Sequence, residues 1–302
     1  MIPRTFITGG SGFVGRRLVS VLLARGASLA LLTRSARPAP DPAGGAIETV
    51  QGDLLEPHRY AAALAGAGVV VHLAAATGRA AAGEHMRTNA EGTEVLLEHA
   101  RRAGVERFLF VSSIAAGFPD VRDYPYARAK QRAEAAVRSS GLRYTILRPT
   151  MVLGPRSPIL AALEKLAALP VIPIFGHGRT RVQPIHVDDL VDFIADILTA
   201  DRFRGETLEV GGDRSLSIEE LVQAIRVARR GVRGPAVHLP LQPLRWALRA
   251  GESLRLGRFL PVSAGQLSSF RFDGTIESNP LFEGRRAGLR GITDMVAGGR
   301  AA

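Results

Sequence analysis

The segment that most constrains this chain is Phe6-Ile7-Thr8-Gly9-Gly10-Ser11-Gly12-Phe13-Val14-Gly15. Phe6-Ile7-Thr8 reads as a buried strand, and three glycines at i, i+3 and i+6 follow it. Residues 16–25 then place apolar side chains at helical spacing, and Gly26 supplies a stop. Strand, glycine turn and helix in that order are the context a dinucleotide-binding fingerprint requires. Gly9 is expected to make the tight turn, Gly12 to let the backbone approach a pyrophosphate, and Gly15 to let helix and strand pack closely. Gly10, Ser11, Phe13 and Val14 complete the expected cofactor loop. The helix start offers unpaired N–H groups and a positive dipole end to phosphate.

The same alternation continues down the chain. Strands are expected at 29–33, 47–50, 69–73, 108–111, 142–147 and 206–212, with helices at 57–66, 87–103, from 126, and at 191–199. Phe108-Leu109-Phe110-Val111 is an unbroken apolar run, as a strand buried on both faces requires. The pattern dictates an α/β fold: a Rossmann-type doubly wound parallel sheet with helices on both faces and a smaller C-terminal substrate lobe. The domain reading is a dinucleotide-binding domain at 1–150, also receiving a strand and helix from about 184–212. The substrate lobe takes 151–183 and 213–302. In that lobe 159–169 reads as a helix and 170–175 as an irregular wall. Ser217-Ile218-Glu219-Glu220 reads as a capping box for a helix at 218–229.

Composition narrows the function. The chain of 302 residues is long enough for a sizeable core. It has no run of eighteen apolar residues, so no transmembrane helix is expected. The first strand begins within a few residues, leaving no room for a signal peptide, and the cytoplasm is the simplest location. With no cysteine, thiol nucleophiles, disulfides and thiolate metal sites are excluded. The net charge of +11 would suit an acidic partner, yet only Lys130 and Lys165 are lysines, and arginine accompanies abundant Ala, Gly and Pro. That is the look of a GC-rich coding sequence, and no aromatic-interleaved basic motif points to nucleic acid.

The chemistry sits further on. Ser112-Ser113 ends the 108–111 strand, Tyr126 follows Ser113 by thirteen residues, and Lys130 stands four past Tyr126. On a helix, positions i and i+4 share a face. Reducing a carbonyl by hydride transfer requires a proton for the developing alkoxide, and oxidising an alcohol requires a base. A free tyrosine, with a pKa of about 10, is a poor base at neutral pH. A nearby ammonium favours its phenolate, and a serine hydroxyl can hold the substrate oxygen. Ser113 has the better spacing, with Ser112 second. Cofactor choice is read from the end of the second strand. No acid occurs there before Asp41, whereas Arg34 and Arg37 offer guanidiniums suited to a 2′-phosphate, so NADP(H) is expected over NAD(H).

The glycine turn, the apolar strand ending in serine and the Tyr126/Lys130 pair resemble the extended and atypical branches of the short-chain dehydrogenase/reductase superfamily. The resemblance covers the chain to about residue 225. It implies that Asp53, with Leu54, lies at the adenine, that Ala74, Ala75 and Ala76 form a cofactor turn, and that Asn89 braces the sheet. It also implies that backbone groups near Pro149 and Val152 meet the nicotinamide amide. The 114–125 segment is shorter than in nucleotide-sugar epimerases. It is similar to the branch holding a complex I accessory subunit and 3β-hydroxysteroid-dehydrogenase-like proteins. Arg179 and Arg181 stand out of register with the epimerase diphosphate arginine, which argues against a nucleotide sugar.

The expected activity is therefore NAD(P)-dependent hydride transfer on a small carbonyl or hydroxyl substrate. Epimerisation or dehydration with a retained cofactor is the alternative, and a non-catalytic nucleotide-binding role is a third reading. His186-Val187-Asp188-Asp189 superficially suggests metal ligands. An Asp at a helix start is usually a cap, however, and no metal is expected. From 226 to 258 eight arginines face one acid, Glu252, among Leu244, Trp246, Leu248, Leu254 and Leu256. That stretch fits a flap over a lipidic or phosphorylated substrate, a peripheral membrane contact, or a solvated helix, of which the solvated helix is the plainest. A homodimer through surface helices is common in look-alikes. The Gly/Arg-rich tail from about 284 is expected to be partly disordered.

Overall fold

The computed structural model describes residues 2–34, 47–78, 80–242 and 271–297. Along the first half, the strands are β1 (Thr5–Thr8), β2 (Leu29–Thr33), β3 (Ile47–Gln51), β4 (Val69–His72), β5 (Arg107–Val111) and β6 (Arg143–Pro149). The helices between them are α1 (Phe13–Ala24), α2 (Pro57–Leu64), α3 (Ala82–His85), α4 (Gly92–Arg102) and α5 (Pro125–Ser139). A π-helical stretch, Met86–Glu91, joins α3 to α4. The second half adds β7 (Val152–Leu153), α6 (Pro158–Ala167), β8 (Ile172–Phe175), β9 (Arg181–Val182), β10 (Ile185–His186), α7 (Val187–Thr199), β11 (Glu206–Val210), β12 (Leu216–Ser217), α8 (Ile218–Arg230) and β13 (Ala236–Leu239). Two short helices, Pro280–Glu283 and Ile292–Ala297, follow.

Seven strands form the central sheet in the order β11-β6-β5-β4-β1-β2-β3. The pairings from β3 through to β6 are all parallel. The chain runs outward from β1 to β2 and β3, then crosses back to place β4 on the other side of β1. That reversal puts a topological switch point between β1 and β4, and ligands of such sheets bind beyond the carboxyl ends there. Thr8 and His72 are partners in register at those two ends. Both strands are buried throughout, as helices covering both faces of a parallel sheet demand.

The chain divides into two compact units. The first comprises Met1–Gly117, Pro125–Pro149 and Val187–Leu208. A core within it joins Phe6, Tyr60, Leu64, Leu96, Phe108, Phe110, Val137 and Ile146. There the ring of Phe6 lies 5.9 Å from that of Tyr60. Arg17 of α1 pairs with Asp188 of α7 at 2.5 Å, so Asp188 serves as an ion-pair partner in the first turn of α7.

The second unit comprises Phe118–Tyr124, Thr150–His186 and Glu209–Ala302. It holds three small two-stranded sheets, β10 with β7, β12 with β9 and β13 with β8. Its core joins Leu153, Leu160, Leu163, Leu221, Ile225, Met295 and Val296. The capping box at α8 is present: Ser217 Oγ accepts from Glu220 N at 3.1 Å, and Glu220 Oε2 accepts from Ser217 N at 2.7 Å.

Three local expectations are corrected. Residues 172–175 form a strand rather than an irregular wall, because β13 supplies a parallel partner for every residue of β8. Helix α7 begins at Val187 instead of 191. Within the basic stretch, Arg226 is buried and donates through Nη1 to the carbonyls of Ala167 and Leu169, while Arg229 pairs with Glu164, so neither lies on a free solvated face. The rest of that stretch, 243–258, lies outside the described residues. In the tail, residues 292–297 are helical and bury Met295 and Val296, so apolar burial orders that part. Among the described residues no helix is long and apolar enough to cross a membrane.

Candidate active site

The glycine turn closes on itself. Gly12 N donates to the carbonyl of Gly9 at 3.0 Å, and Gly9 sits at φ +74, the left-handed region that glycine enters without cost. A Cβ at Gly9 would lie 2.6 Å from Ala74 N, and one at Gly15 would lie 2.1 Å from the Gly9 carbonyl oxygen. No side chain therefore fits at either position. Gly12 is the N-cap of α1 with extended backbone, and no side chain caps the helix. The first amides of α1, at Phe13 and Val14, thus remain for an outside acceptor, which is the fit a pyrophosphate needs. Gly10 is buried, with Leu31 and Val19 against it, and Ser11 is exposed.

Beside the turn, the backbone after β4 is held in detail. Leu73 N donates to the Thr8 carbonyl at 3.1 Å, and Ala74 N to Thr8 Oγ1 at 3.3 Å. Asn89, buried in the π-helical stretch, accepts from Ala76 N at 2.7 Å and donates Nδ2 to the Ala76 carbonyl at 2.9 Å. Asn89 thus braces the Ala74-Ala75-Ala76 turn. His72, fully buried, lies between two hydroxyls: Nδ1 is 2.6 Å from Thr8 Oγ1 and Nε2 is 2.9 Å from Thr93 Oγ1. Thr93 gives its only hydroxyl proton to the Asn89 carbonyl at 2.8 Å, so it must accept from His72 Nε2–H. Nδ1 then accepts from Thr8. Burial, and secondarily the charge of Lys130, lower the His72 pKa to about 3, consistent with this neutral tautomer.

The end of β5 separates the two serines. Ser112 Oγ donates to Glu134 at 2.7 Å, deep in the core. Ser113 instead shares a hydrogen bond with Tyr126 in the first turn of α5. Desolvation pushes the Tyr126 phenol up to about 12, and the Ser113 bond partly offsets it. One turn on, buried Lys130 donates Nζ to the Val111 carbonyl at 2.9 Å and lies 4.6 Å from the centre of the Phe110 ring. Burial lowers its pKa to about 7 against the raising effect of Glu134. Spacing along β5 and α5 thus brings Ser113 to Tyr126 and sets Lys130 one helical turn on, against the end of β5.

The remaining expected residues are more scattered. Asp53 is half-buried and accepts from Leu55 N at 3.0 Å, closing its own turn; Glu56 occupies the N-cap position of α2. Leu54 is buried against Gly92, where a Cβ would meet it at 3.0 Å. Arg34 is exposed just past β2, and Arg37 lies outside the described residues. Pro149 is buried at the end of β6 in the first unit. Val152 belongs to the second unit, paired with Ile185. Among the described residues no group of three metal-binding side chains occurs.

Several polar groups here escape sequence reasoning. Thr8, Thr93 and Glu134 acquire partners only through the fold. His85 ends α3 and packs against Tyr126 with ring centres 5.7 Å apart. The one signal for His85 is its position four residues before Asn89, on the same helical face.

Fold and site together define an α/β protein of the dinucleotide-binding Rossmann type. The family model of the NAD dependent epimerase/dehydratase family matches residues 5–211, and the chain belongs to that family. It is 36% identical to a ceramide reductase of Caulobacter vibrioides over 184 residues, 61% of this chain and 57% of that protein. It thus spans less than two thirds of that relative's length. A 4-hydroxy-2-methyl-3-oxo-4-farnesyl-3,4-dihydroquinoline-1-oxide ketoreductase of Stigmatella aurantiaca is 28% identical over 83% of this chain and 80% of its own. Among solved structures, a dTDP-glucose 4,6-dehydratase of Streptomyces venezuelae with NAD bound superposes with a TM-score of 0.67. It is 27% identical and covers 78% of this chain and 84% of its own.

Proposed function

We propose that this enzyme transfers hydride between NADP(H) and a carbonyl/alcohol pair, with Tyr126 as acid/base, Lys130 tuning it and Ser113 holding the substrate oxygen. The observation that carries the reading is the Ser113–Tyr126 hydrogen bond, one helical turn from the buried Lys130. The glycine turn, Ala74-Ala75-Ala76, Asp53 and Leu54 would hold the dinucleotide, and Lys130 its nicotinamide ribose. When bound, the dinucleotide supplies or takes up the hydride.

The side chains handle the proton. In reduction, Tyr126 gives its phenolic proton to the oxygen of the carbonyl as negative charge grows there, while Ser113 donates a hydrogen bond to the same oxygen. A phenol held near 12 keeps its proton at neutral pH and is ready to act as the acid. In oxidation the phenol must lose that proton, and the positive form of Lys130 favours the phenolate. Burial lowers the Lys130 pKa to about 7, so this positive form is most populated below that pH.

The ceramide reductase and the farnesyl-quinoline ketoreductase favour a lipophilic carbonyl over a nucleotide sugar as substrate. Arg181 agrees with this, since its guanidinium is committed to Ser215 through Oγ and the carbonyl. The dehydratase likeness supports the alternative, a retained cofactor with epimerase or dehydratase chemistry. Stoichiometric dinucleotide released on denaturing the purified protein would turn the reading that way.

Two measurements test the proposal. Tyr126→Phe is expected to lower kcat at least ~100-fold, the range of a lost general acid, and to leave dinucleotide affinity within about threefold. Retained turnover refutes the mechanism. Calorimetric titration should give NADPH a Kd at least ~10-fold below that of NADH, because the guanidinium of Arg34, with Arg37 beyond it, suits a 2′-phosphate. The reverse order keeps the enzyme and discards the arginine argument.

A further inference from the structure

Tyr126 has a second neighbour besides Ser113. The His85 ring meets it at 71° with 5.7 Å between centres, the edge-to-face arrangement that aromatic pairs favour. His85 is itself buried, and its Nδ1 lies 3.1 Å from the carbonyl oxygen of Ala76. A carbonyl can only accept, so Nδ1 carries the proton. The same Ala76 carbonyl accepts from Asn89 Nδ2, and Ala76 N donates to Asn89 Oδ1. The anchor point of His85 is therefore itself held by two hydrogen bonds to the Asn89 side chain. Burial lowers the His85 pKa against smaller raising effects of the Ala76 bond and Glu84, which keeps the ring neutral at pH 7.

We propose that His85 is a positioning residue for Tyr126, fastening its ring to the Ala74-Ala75-Ala76 turn. The proposal rests on the reading of Tyr126 as acid/base. The hydrogen bond shared with Ser113 holds the phenolic oxygen, and the edge-to-face His85 contact adds a constraint on the plane of the ring. It thereby ties the proton donor to the turn that the glycine loop touches at Ala74, where a Cβ on Gly9 would clash. His85 stands where α3 passes into the π-helical stretch, so the helix holds its backbone and the Ala76 bond anchors its ring. Misplacing a reacting group by about 1 Å can cost on the order of a hundredfold in rate.

The test uses the full-length protein with two variants. His85→Leu fills the volume but offers neither donor nor ring edge, and His85→Phe restores the ring edge alone. His85→Leu is expected to lower kcat roughly 10- to 100-fold with KM for the dinucleotide within about threefold, and His85→Phe to recover most of that loss. A second readout needs no turnover. The chain has four tyrosines, so ring-13C-tyrosine NMR gives four resolvable signals, with that of Tyr126 assigned by its loss in Tyr126→Phe. His85→Leu should move the Tyr126 signal and His85→Phe should return it toward the native position. A His85→Leu kcat within twofold of the native value, a Tyr126 signal that stays put, or His85→Phe behaving like His85→Leu overturns the proposal. If Tyr126→Phe itself retains turnover while the signal moves as expected, the acid/base reading fails and the packing of His85 on Tyr126 stands.

Discussion

Glu134 is a carboxylate with 1% of its side chain exposed, held between Arg148 and Arg138. Arg148 meets it with two parallel bonds of 2.8 and 2.7 Å, Arg138 adds a third and Ser112 Oγ a fourth. Burial alone would raise its pKa, but the bonds from Arg148 and Ser112 and the charge of Arg148 hold the carboxyl below its usual range. This is why two adjacent serines have different partners: Ser112 is committed to the core, and Ser113 faces Tyr126. Glu134→Ala removes the carboxylate that Arg148, Arg138 and Ser112 share, and removing one member of a buried pair costs about 3 kcal/mol or more. The urea midpoint should fall accordingly at unchanged m, with Glu134→Gln losing less because one acceptor oxygen remains. A change under about 0.5 kcal/mol would mean that water replaces the carboxylate at no cost.

At the scale of elements, what was legible is what local spacing encodes. The strand–turn–helix at 5–24 follows from three glycines between two apolar periodicities. The Tyr126/Lys130 pair follows from i, i+4 geometry on α5. The capping box of α8 was legible for the same reason, since Ser217 and Glu220 meet within one turn. Strand β8 was not legible. Its sequence, Ile-Pro-Ile-Phe, carries a proline and shows no alternation, and its partner β13 lies some sixty residues on. Order there comes from long-range pairing, which a local pattern cannot carry. The π-helical stretch Met86–Glu91 is equally silent in the sequence, because a wide turn leaves apolar spacing almost unchanged. Yet it carries Asn89, whose side chain braces the Ala76 turn and whose carbonyl ends the Thr8–His72–Thr93 chain. His72 itself reads only as a strand residue, and its two hydroxyl partners come from β1 and α4. Local spacing and the family resemblance thus reached the glycine turn, the Tyr126/Lys130 helix face and Asn89 as a brace, whereas Thr8, Thr93, Glu134 and His85 meet their partners only through the fold.

For the whole molecule, these buried groups shift the pH of greatest stability. His72 has a folded pKa near 3 against an ordinary value of 6.5, and His85 is also lowered. Below pH 6.5 the unfolded chain takes up protons that the fold refuses, so stability falls with acidification from 6.5 toward 3, by about 1.4 kcal/mol per pH unit for each such proton. Lys130, at about 7 folded and 10.5 unfolded, acts in the next window: stability rises as pH climbs from 7 toward 10.5. Tyr126 sets the upper limit. Its folded pKa is near 12 and that of Tyr60 is raised further, so the unfolded chain ionises first and stability declines once pH passes 10. Rising pH also discharges part of a chain of net charge +11, which relieves self-repulsion in the compact state. The sum of these slopes puts maximum stability near pH 9–10, above the usual range of about 5–8. Urea midpoints measured from pH 5 to 11 should rise to that maximum and then fall. His72→Gln should flatten the slope between pH 6.5 and 4.5 by about one proton, since most carboxylates stay ionised across that window. A maximum near pH 6, or a His72→Gln slope equal to the native one, would mean that His72 and Lys130 accept their charge inside the fold, through water reaching the ends of β4 and β5.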